Sequence, residues 1–283
     1  MPFIDRLTNE YTPERVYALC KLVYSRPSLS KDEVKELLQP AVVNKSQDLF
    51  DKIVVFAKRG ELIAEDVDGK ITLALEGADV QNLNAFRNTL AKLVFSRPEL
   101  RFCRFTGWYI GRGEHVLSED STTLKGQFDI EMNPLGEKNL YNETNIDAWK
   151  HWATFFGLGY HHPSKKPVLI PNAARRLSRV ITSERWNTGK TVSFGHFMQW
   201  LSQTCPELDG GSLFNANRGK ANLPEKSLSL ALSSGLRALH DRGSIVLRYG
   251  ADSTDTWFLY PVNSHAIVEK VSEIQIGGAS QWT

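Results

Sequence analysis

The chain lacks the features that mark membrane-spanning and secreted proteins. It contains no apolar run of about eighteen residues, the length that a membrane helix needs, so we expect no membrane partner. Its start does not read as a signal peptide, which predicts a cytoplasmic protein. The three cysteines, Cys20, Cys103 and Cys205, have neither disulfide nor zinc-site spacing. Cys20 lies on an apolar helical face and is predicted to be a packed, reduced thiol.

Signatures of catalysis are missing or incomplete. Residues 189–191 (GKT) read like the end of a phosphate-binding loop, but Glu184 stands where that loop requires glycine. His161 and His162 have no metal-ligand spacing, and no HExxH motif or Gly-x-Ser-x-Gly elbow accompanies them. These absences argue against an NTPase, a zinc hydrolase and a serine hydrolase.

One acidic pair is better explained by structure than by catalysis. Asp129 and Glu131 alternate along a predicted strand over residues 128–132, with Lys138 beyond it. Two-metal nuclease chemistry needs further carboxylates in a fixed cage, so one acidic pair is weak evidence for it, and alternation along the surface of a strand explains the pair better. We therefore expect a non-enzymatic protein with no metal and no cofactor.

The strongest positive pattern is a run of helices that ends in a hairpin. Thr12 before Pro13 predicts a helix that ends before Pro27. Ser30 and Glu33 form a capping box, which predicts a second helix over residues 31–38. Asn44 with Gln47 can cap a third helix, whose apolar positions recur at the three-and-four spacing of one buried face.

The third helix is predicted to end where a two-stranded hairpin begins. Gly60 can take the left-handed conformation that ends a helix. Residues 61–64 and 70–75 then read as strands joined around Asp68 and Gly69, the strongest short hairpin signal. Over residues 12–76 this order resembles the winged-helix superfamily. The resemblance implies DNA binding by the third helix in the major groove, although many winged helices bind only proteins.

The same unit is predicted to recur twice. Segments 19–29 and 90–100 share the letters LxKLVxSRPxL, which indicates that the first helix of the unit recurs near residue 90. An aromatic segment over residues 102–117 would interrupt this second copy. A helix from Thr144 to Gly157 and a hairpin over residues 160–170 would complete that copy. We therefore predict a mainly α protein with small antiparallel β-wings (α+β), in tandem winged-helix domains over residues 1–78, 79–185 and 186–283.

The predicted third copy ends in a longer wing. Helices are expected over residues 192–201 and 224–242, with Gly243 ending the second. Strands over residues 244–249 and 256–260 would then pair, and a helix over residues 263–274 would follow. That last helix would pack the end of the chain or support a homodimer.

Charge is distributed unevenly along the chain. The net charge is only +2, yet residues 150–190 hold eight basic residues and one acid, which leaves 26 basic and 31 acidic residues elsewhere. Such a patch is the footprint expected where DNA phosphates are neutralised. Trp149 and Trp152 in the same region are interpreted as core rather than as stacking platforms. A basic face that docks an acidic protein partner is the open alternative.

The predicted DNA-binding residues come from all three copies. Helix and wing placement predicts backbone contacts and some base contacts from Lys150, Lys165, Lys166, Arg175, Arg176, Arg179, Asn145, Lys45, Gln47, Arg218, Lys220 and Lys226. In the first copy, Asp48 and Asp51 oppose the cations of the third helix. The first copy is therefore predicted to serve as a scaffold or a partner-binding arm.

The opening at residues 12–15 (TPER), the early winged helix and the chain length are similar to DpdG-type proteins. Those proteins are encoded with systems that insert 7-deazaguanine derivatives into DNA and restrict unmodified DNA. The resemblance implies a DNA-binding component of a bacterial DNA-modification or phage-defence system, which binds double-stranded DNA and other proteins of that system. A protein-interaction subunit of a larger complex and a transcriptional regulator fit the same residues.

Overall fold

The computed structural model describes residues 7–27, 29–42, 48–133, 141–162, 168–184, 186, 189–220, 223–262 and 268–277. It is mainly helical with small antiparallel sheets, which confirms the predicted α+β class. Among these residues, none of the helices combines the length and apolar character needed to cross a bilayer.

The first part of the chain folds as three helices and a hairpin. Its elements are α1 Pro13–Ser25, α2 Lys31–Leu38, α3 Asp48–Arg59, β1 Ile63–Glu65 and β2 Ile71–Leu73. Thr12 caps α1, and Ser30 and Glu33 form the predicted capping box at the start of α2. The proposed caps of α3, Asn44 and Gln47, lie outside the described residues.

The end of α3 corrects one prediction. Glu61, with φ 59°, is the left-handed residue, whereas Gly60 is not. The amide of Glu61 donates to the carbonyl of Lys58, and the amide of Leu62 donates to that of Ala57, which is the paired bonding of a Schellman motif. In this motif the left-handed residue is Glu61, one position after Gly60, which was predicted because glycine prefers that conformation. Gly69, with φ 76°, forms the predicted hairpin turn.

In the middle of the chain, the described residues form helices α4 to α7, a second hairpin and two short 3-10 helices, Gly77–Val80 and Gly113–Ser118. These elements are α4 Leu83–Phe95, α5 Arg101–Gly111, α6 Ser121–Met132, α7 Glu143–Phe156, β3 Gly159–His162 and β4 Val168–Pro171. Gly157, with φ 78°, ends α7 as predicted. The aromatic segment over residues 102–117, for which no secondary structure was predicted, contains most of helix α5. One prediction here was wrong: residues 128–132 are the end of α6, not a strand. The side chain of Asp120 accepts from the amide of Thr123 at the start of α6, which stabilises the helical conformation of this segment.

In the last part of the chain, the described residues form helices α8 to α11, a three-stranded sheet and a separate pair of strands. These elements are α8 Ala174–Ser183, β5 Thr191–Ser193, α9 Phe194–Thr204, α10 Ser212–Asn217, α11 Leu230–Asp241, β6 Ile245–Arg248, β7 Trp257–Phe258, β8 Lys270–Val271 and β9 Glu273–Ile276. The sheet has the order β5–β9–β6, with Ile245 opposite Ile276 and Thr191 opposite Gln275. Strands β7 and β8 form a separate pair.

This topology overturns the predicted wing of the third copy. Strand β6 pairs with β9 and not with residues 256–260, and residues 270–276 are strands where a helix was predicted. Alternating burial of Ile274 and Ile276 places one face of β9 in the core, which a helix could not reproduce. Residues 263–267 of that predicted helix lie outside the described part. The helix predicted from residue 224 starts at Leu230, because Ser229 caps it.

The buried apolar side chains form one continuous cluster from Leu7 to Ile276. Trp149 and Trp152 belong to it, as predicted, and the three cysteines are buried and unpaired. Helix α5 packs closely on α10, where a Cβ at Gly107 would lie 2.8 Å from that of Asn217. The amide of Ala173 donates to the carbonyl of Ala231 at 2.9 Å, which joins the start of α8 to α11.

Candidate nucleic-acid interface

Two predicted DNA contacts on α7 are turned into the protein. Lys150 is 4% exposed, and its Nζ donates to Asp147 Oδ1 at 3.0 Å and to Ser121 Oγ at 2.9 Å. Asn145 is 9% exposed and donates from Nδ2 to the carbonyl of Leu7 at 2.6 Å. This corrects the expectation that both side chains face a ligand, since internal contacts occupy them.

Arg176 is also taken by an internal contact. Its Nε lies 2.7 Å from Glu207 Oε1, and both side chains are buried. Burial alone disfavours the charged form, but the carboxylate of Glu207 outweighs it and raises the pKa of Arg176. The pair joins α8 to the segment before α10 and is not a surface contact, which corrects the placement of Arg176 in the predicted patch.

Helices α7 and α11 have almost no open side. Along α11, every residue from 230 to 240 is buried or half-buried, and only Asp241 is exposed. Along α7, only Thr144 and His151 are exposed. The major groove of DNA is wide enough to admit one α-helix, so a helix that enters it must have one side exposed to solvent. Neither helix does, because neighbouring elements pack around both.

Helix α3 differs, because one of its sides faces solvent. Its exposed residues are Asp48, Lys52, Val55, Lys58 and Arg59. Lys52 Nζ lies 2.7 Å from Glu10 Oε1, and Lys58 Nζ lies 2.5 Å from Glu65 Oε2. Side chains in these pairs are 25–43% exposed, and exposed ion pairs are weak enough for phosphates to compete with them.

The two acidic residues of α3 that oppose DNA binding, Asp48 and Asp51, differ in their surroundings. Asp51 is neutralised by α2, since Lys31 Nζ and Lys35 Nζ each lie 3.3 Å from one of its carboxylate oxygens. Asp48 is exposed in the first turn. The predicted contacts Lys45 and Gln47 precede α3 and lie outside the described residues.

A cluster of three arginines surrounds the end of α7. The arginine cluster consists of Arg87 from α4 and Arg175 and Arg179 from α8. The Arg87 guanidinium lies 4.9 Å from the centre of the Phe155 ring, and Arg179 donates to the carbonyl of Phe156. Arg175 is exposed. The structure thus keeps two of the three predicted arginines of this segment together and adds Arg87.

Burial and neighbouring positive charges lower the pKa of two arginines in the arginine cluster. Burial, followed by the charge of Arg175, lowers the pKa of Arg87, whereas Glu14 acts in the opposite direction. Burial, followed by the charges of Arg176 and Arg87, lowers the pKa of Arg179 to about 9. The Nε atoms of Arg87 and Arg179 are buried without a hydrogen-bond partner. Sequence reasoning missed Arg87, because nothing in the order of the chain places α4 beside α8.

The remaining predicted contacts are scattered. Lys226 pairs with Asp255 at 2.9 Å, Arg218 is half-buried, and Lys220 is exposed. Lys165 and Lys166 lie outside the described residues. Because Lys150 and Arg176 are buried in internal contacts, the described part of the basic segment over residues 150–190 is not one continuous surface patch.

The motifs considered for catalysis have structural contacts. Glu131 accepts from Trp108 Nε1 at 3.1 Å and from Arg112 at 3.1 Å, which fixes it on α6. The amide of Gly189 donates to the carbonyl of Ile276 and joins the segment before β5 to β9. Within the described ranges, no group of three His, Cys, Asp or Glu side chains is arranged to hold a metal.

Comparison with known proteins assigns the family. A model of the DpdG-like family matches residues 7–253, which is most of the chain. The chain belongs to the DpdG-like family. This membership indicates a role in a DNA-modification system. No curated protein and no solved structure matches the chain.

Proposed function

We propose that this DpdG-like protein is a non-enzymatic component of its DNA-modification system, acts in the cytoplasm and binds duplex DNA through a winged helix over residues 12–76. The observation that carries the proposal is the open side of α3. Three helices were candidates for the groove, and α3 alone among them keeps a solvent-facing side in the described residues. The order of three helices and a hairpin supports the same assignment.

Electrostatics favour contact with the phosphate backbone over sequence reading. Lys52, Lys58 and Arg59 present cations along α3, and the exchange of their weak surface partners for phosphates costs little. The exposed carboxylate of Asp48 repels phosphates, so we expect α3 to make only a few contacts with the DNA backbone. We therefore expect modest affinity that rises when other proteins of the system, or a second copy of the chain, bind the same DNA.

The test is fluorescence anisotropy of a labelled duplex at several salt concentrations. Lys52→Gln with Arg59→Gln should weaken binding and lower the slope of log affinity against log salt by about 1 for each phosphate that is no longer neutralised. The control pair, Arg26→Gln with Lys92→Gln, removes two exposed cations from outside α3 and should retain the wild-type slope. Wild-type binding that is insensitive to salt, or equal weakening in both pairs, contradicts binding through α3.

A second candidate function is an interaction subunit whose hairpin contacts another protein. The observation that favours it is Val67, which is fully exposed at the β1–β2 turn between Asp66 and Asp68. Carboxylates at a wing tip repel DNA and suit a protein surface better. If the chain fails to bind duplex DNA at low salt, and Val67→Ser abolishes its capture of a purified protein from the same system, this candidate replaces the first.

A further inference from the structure

Two aromatic rings near the end of the chain are exposed to solvent beside one lysine. Phe258 of β7 is 43% exposed, and Tyr249, which follows β6, is 47% exposed. The side chain of Lys270 in β8 reaches both, with Nζ 5.8 Å from the centre of the Tyr249 ring and 5.9 Å from that of Phe258. Lys270 is exposed, and within the described ranges it has no acidic partner at ion-pair distance. Its charge is therefore open to a ligand that contacts either ring.

An open groove lies beside Phe258. It encloses about 440 Å³, which is within the size range of ligand pockets. Most of its lining is apolar and comes from Leu223, Pro224, Leu259 and Pro261. The groove and the exposed ring together form a contiguous apolar surface, and such surfaces mark binding sites more often than single exposed side chains do.

The backbone of β7 is already paired on both sides at this ring. Phe258 is opposite Lys270 of β8 on one side. On the other side its amide donates to the carbonyl of Lys226, and its carbonyl accepts from the amide of Leu228. A peptide therefore cannot add to β7 as a further strand. A ligand has to be recognised by the rings and the side-chain groups around the groove.

We infer that this surface binds an unpaired base of single-stranded DNA, which stacks on Phe258 while Lys270 contacts a neighbouring phosphate. Aromatic rings beside a cation are the usual platform for single strands, because every base has a face that can stack. Base pairing and stacking cover those faces in a duplex. Glu269 also lines the groove, and its carboxylate repels phosphates but can accept from the N–H groups of a base. The site goes beyond the duplex contact proposed for α3 and does not depend on it.

The test is fluorescence anisotropy of the full chain with a short labelled single strand and with a strand of equal length that has abasic sites in place of its bases. Both strands carry the same phosphates, so a difference in affinity reports the bases. The wild type should bind the strand with bases about tenfold more tightly. Phe258→Leu keeps an apolar side chain but removes the ring, and it should abolish this preference. Lys270→Gln should lower the slope of log affinity against log salt by about 0.7, which corresponds to one phosphate of a single strand.

Tyr24→Leu is the matched control. Tyr24 on α1 is also 43% exposed, and Lys21 Nζ lies 5.4 Å from the centre of its ring, so this variant removes a similar ring and cation pair elsewhere. It should bind both strands like the wild type. The α3 variant Lys52→Gln with Arg59→Gln should also retain the preference for the strand with bases, which keeps this site distinguishable from the duplex contact.

Two results would overturn the inference. One is equal affinity of the wild type for the strand with bases and the abasic strand, which would show that no base is bound. The other is a Phe258→Leu variant that keeps the preference of Tyr24→Leu, which would place the bases away from this ring. Either result would leave the aromatic surface as a contact for another protein, whatever the α3 variants do.

Discussion

At the scale of single residues, the fate of a charge depends on which neighbour the fold brings to it. Arg175, Arg176 and Arg179 lie within one stretch of α8, yet one is exposed, one pairs with buried Glu207, and one contacts the end of α7. Glu207 is 31 positions away from Arg176. A count of charges along the chain cannot separate these roles.

The Arg176–Glu207 pair predicts a sharp effect on stability. Glu207→Gln should lower the free energy of unfolding by about 3–5 kcal/mol, because it leaves a buried guanidinium without its counter-charge. Urea denaturation followed by tryptophan fluorescence measures this change. The control Glu65→Gln breaks the exposed pair with Lys58 and should cost below about 1 kcal/mol. Equal destabilisation of the two variants would show that the buried pair is not specially costly to break.

At the scale of elements, the ends of helices follow local rules. The capping box at Ser30 and the helix α2 that follows it could be predicted to the residue, because both depend on contacts within four positions. Gly157 and Gly243 were likewise predicted as helix ends, and both have positive φ. The surroundings of these two glycines differ in a way that the local sequence does not reveal.

Gly157→Ala and Gly243→Ala form a matched pair that separates backbone strain from crowding. A Cβ at Gly157 would lie 2.9 Å from both Arg175 Cβ and the Arg176 amide nitrogen, whereas one at Gly243 would meet nothing within 4 Å. Gly243→Ala should cost about 1–2 kcal/mol through left-handed strain alone. Gly157→Ala should cost clearly more, because α8 must move. Urea denaturation of both variants decides this, and equal costs would contradict the close approach.

At the scale of the whole molecule, the three predicted copies share one core. Helix α5 of the second packs on α10 of the third, and the amide of Ala173 in the second donates to the carbonyl of Ala231 in the third at 2.9 Å. Phe56 of the first contacts Trp152 of the second, with ring centres 5.9 Å apart. Side chains on either side of the predicted boundaries at residues 78 and 185 therefore pack against each other.

A continuous core predicts one cooperative unfolding transition. Differential scanning calorimetry of the full chain should give a single peak with a calorimetric to van't Hoff enthalpy ratio of about 1. A fragment of residues 186–283 should lack cooperative unfolding, because removal of α5 exposes the face of α10 that it covers. Separate peaks, or a fragment that unfolds cooperatively, would instead support the division into three domains.

The amino-acid order alone was enough to predict most of the helices, several of their caps and the helix-hairpin passages that end at β2 and β4. These features depend on side chains a few positions apart, so their physics is local. It also indicated the family, which the match over residues 7–253 then established. Which surfaces remain open is instead a property of the folded chain. Burial of α7 and α11, the pairing of β6 with β9 and the packing of Arg87 on Phe155 all depend on contacts between distant segments. The basic segment therefore divides between core and surface, and of the three helices predicted to enter a groove, α3 is the one with a solvent-facing side in the described residues.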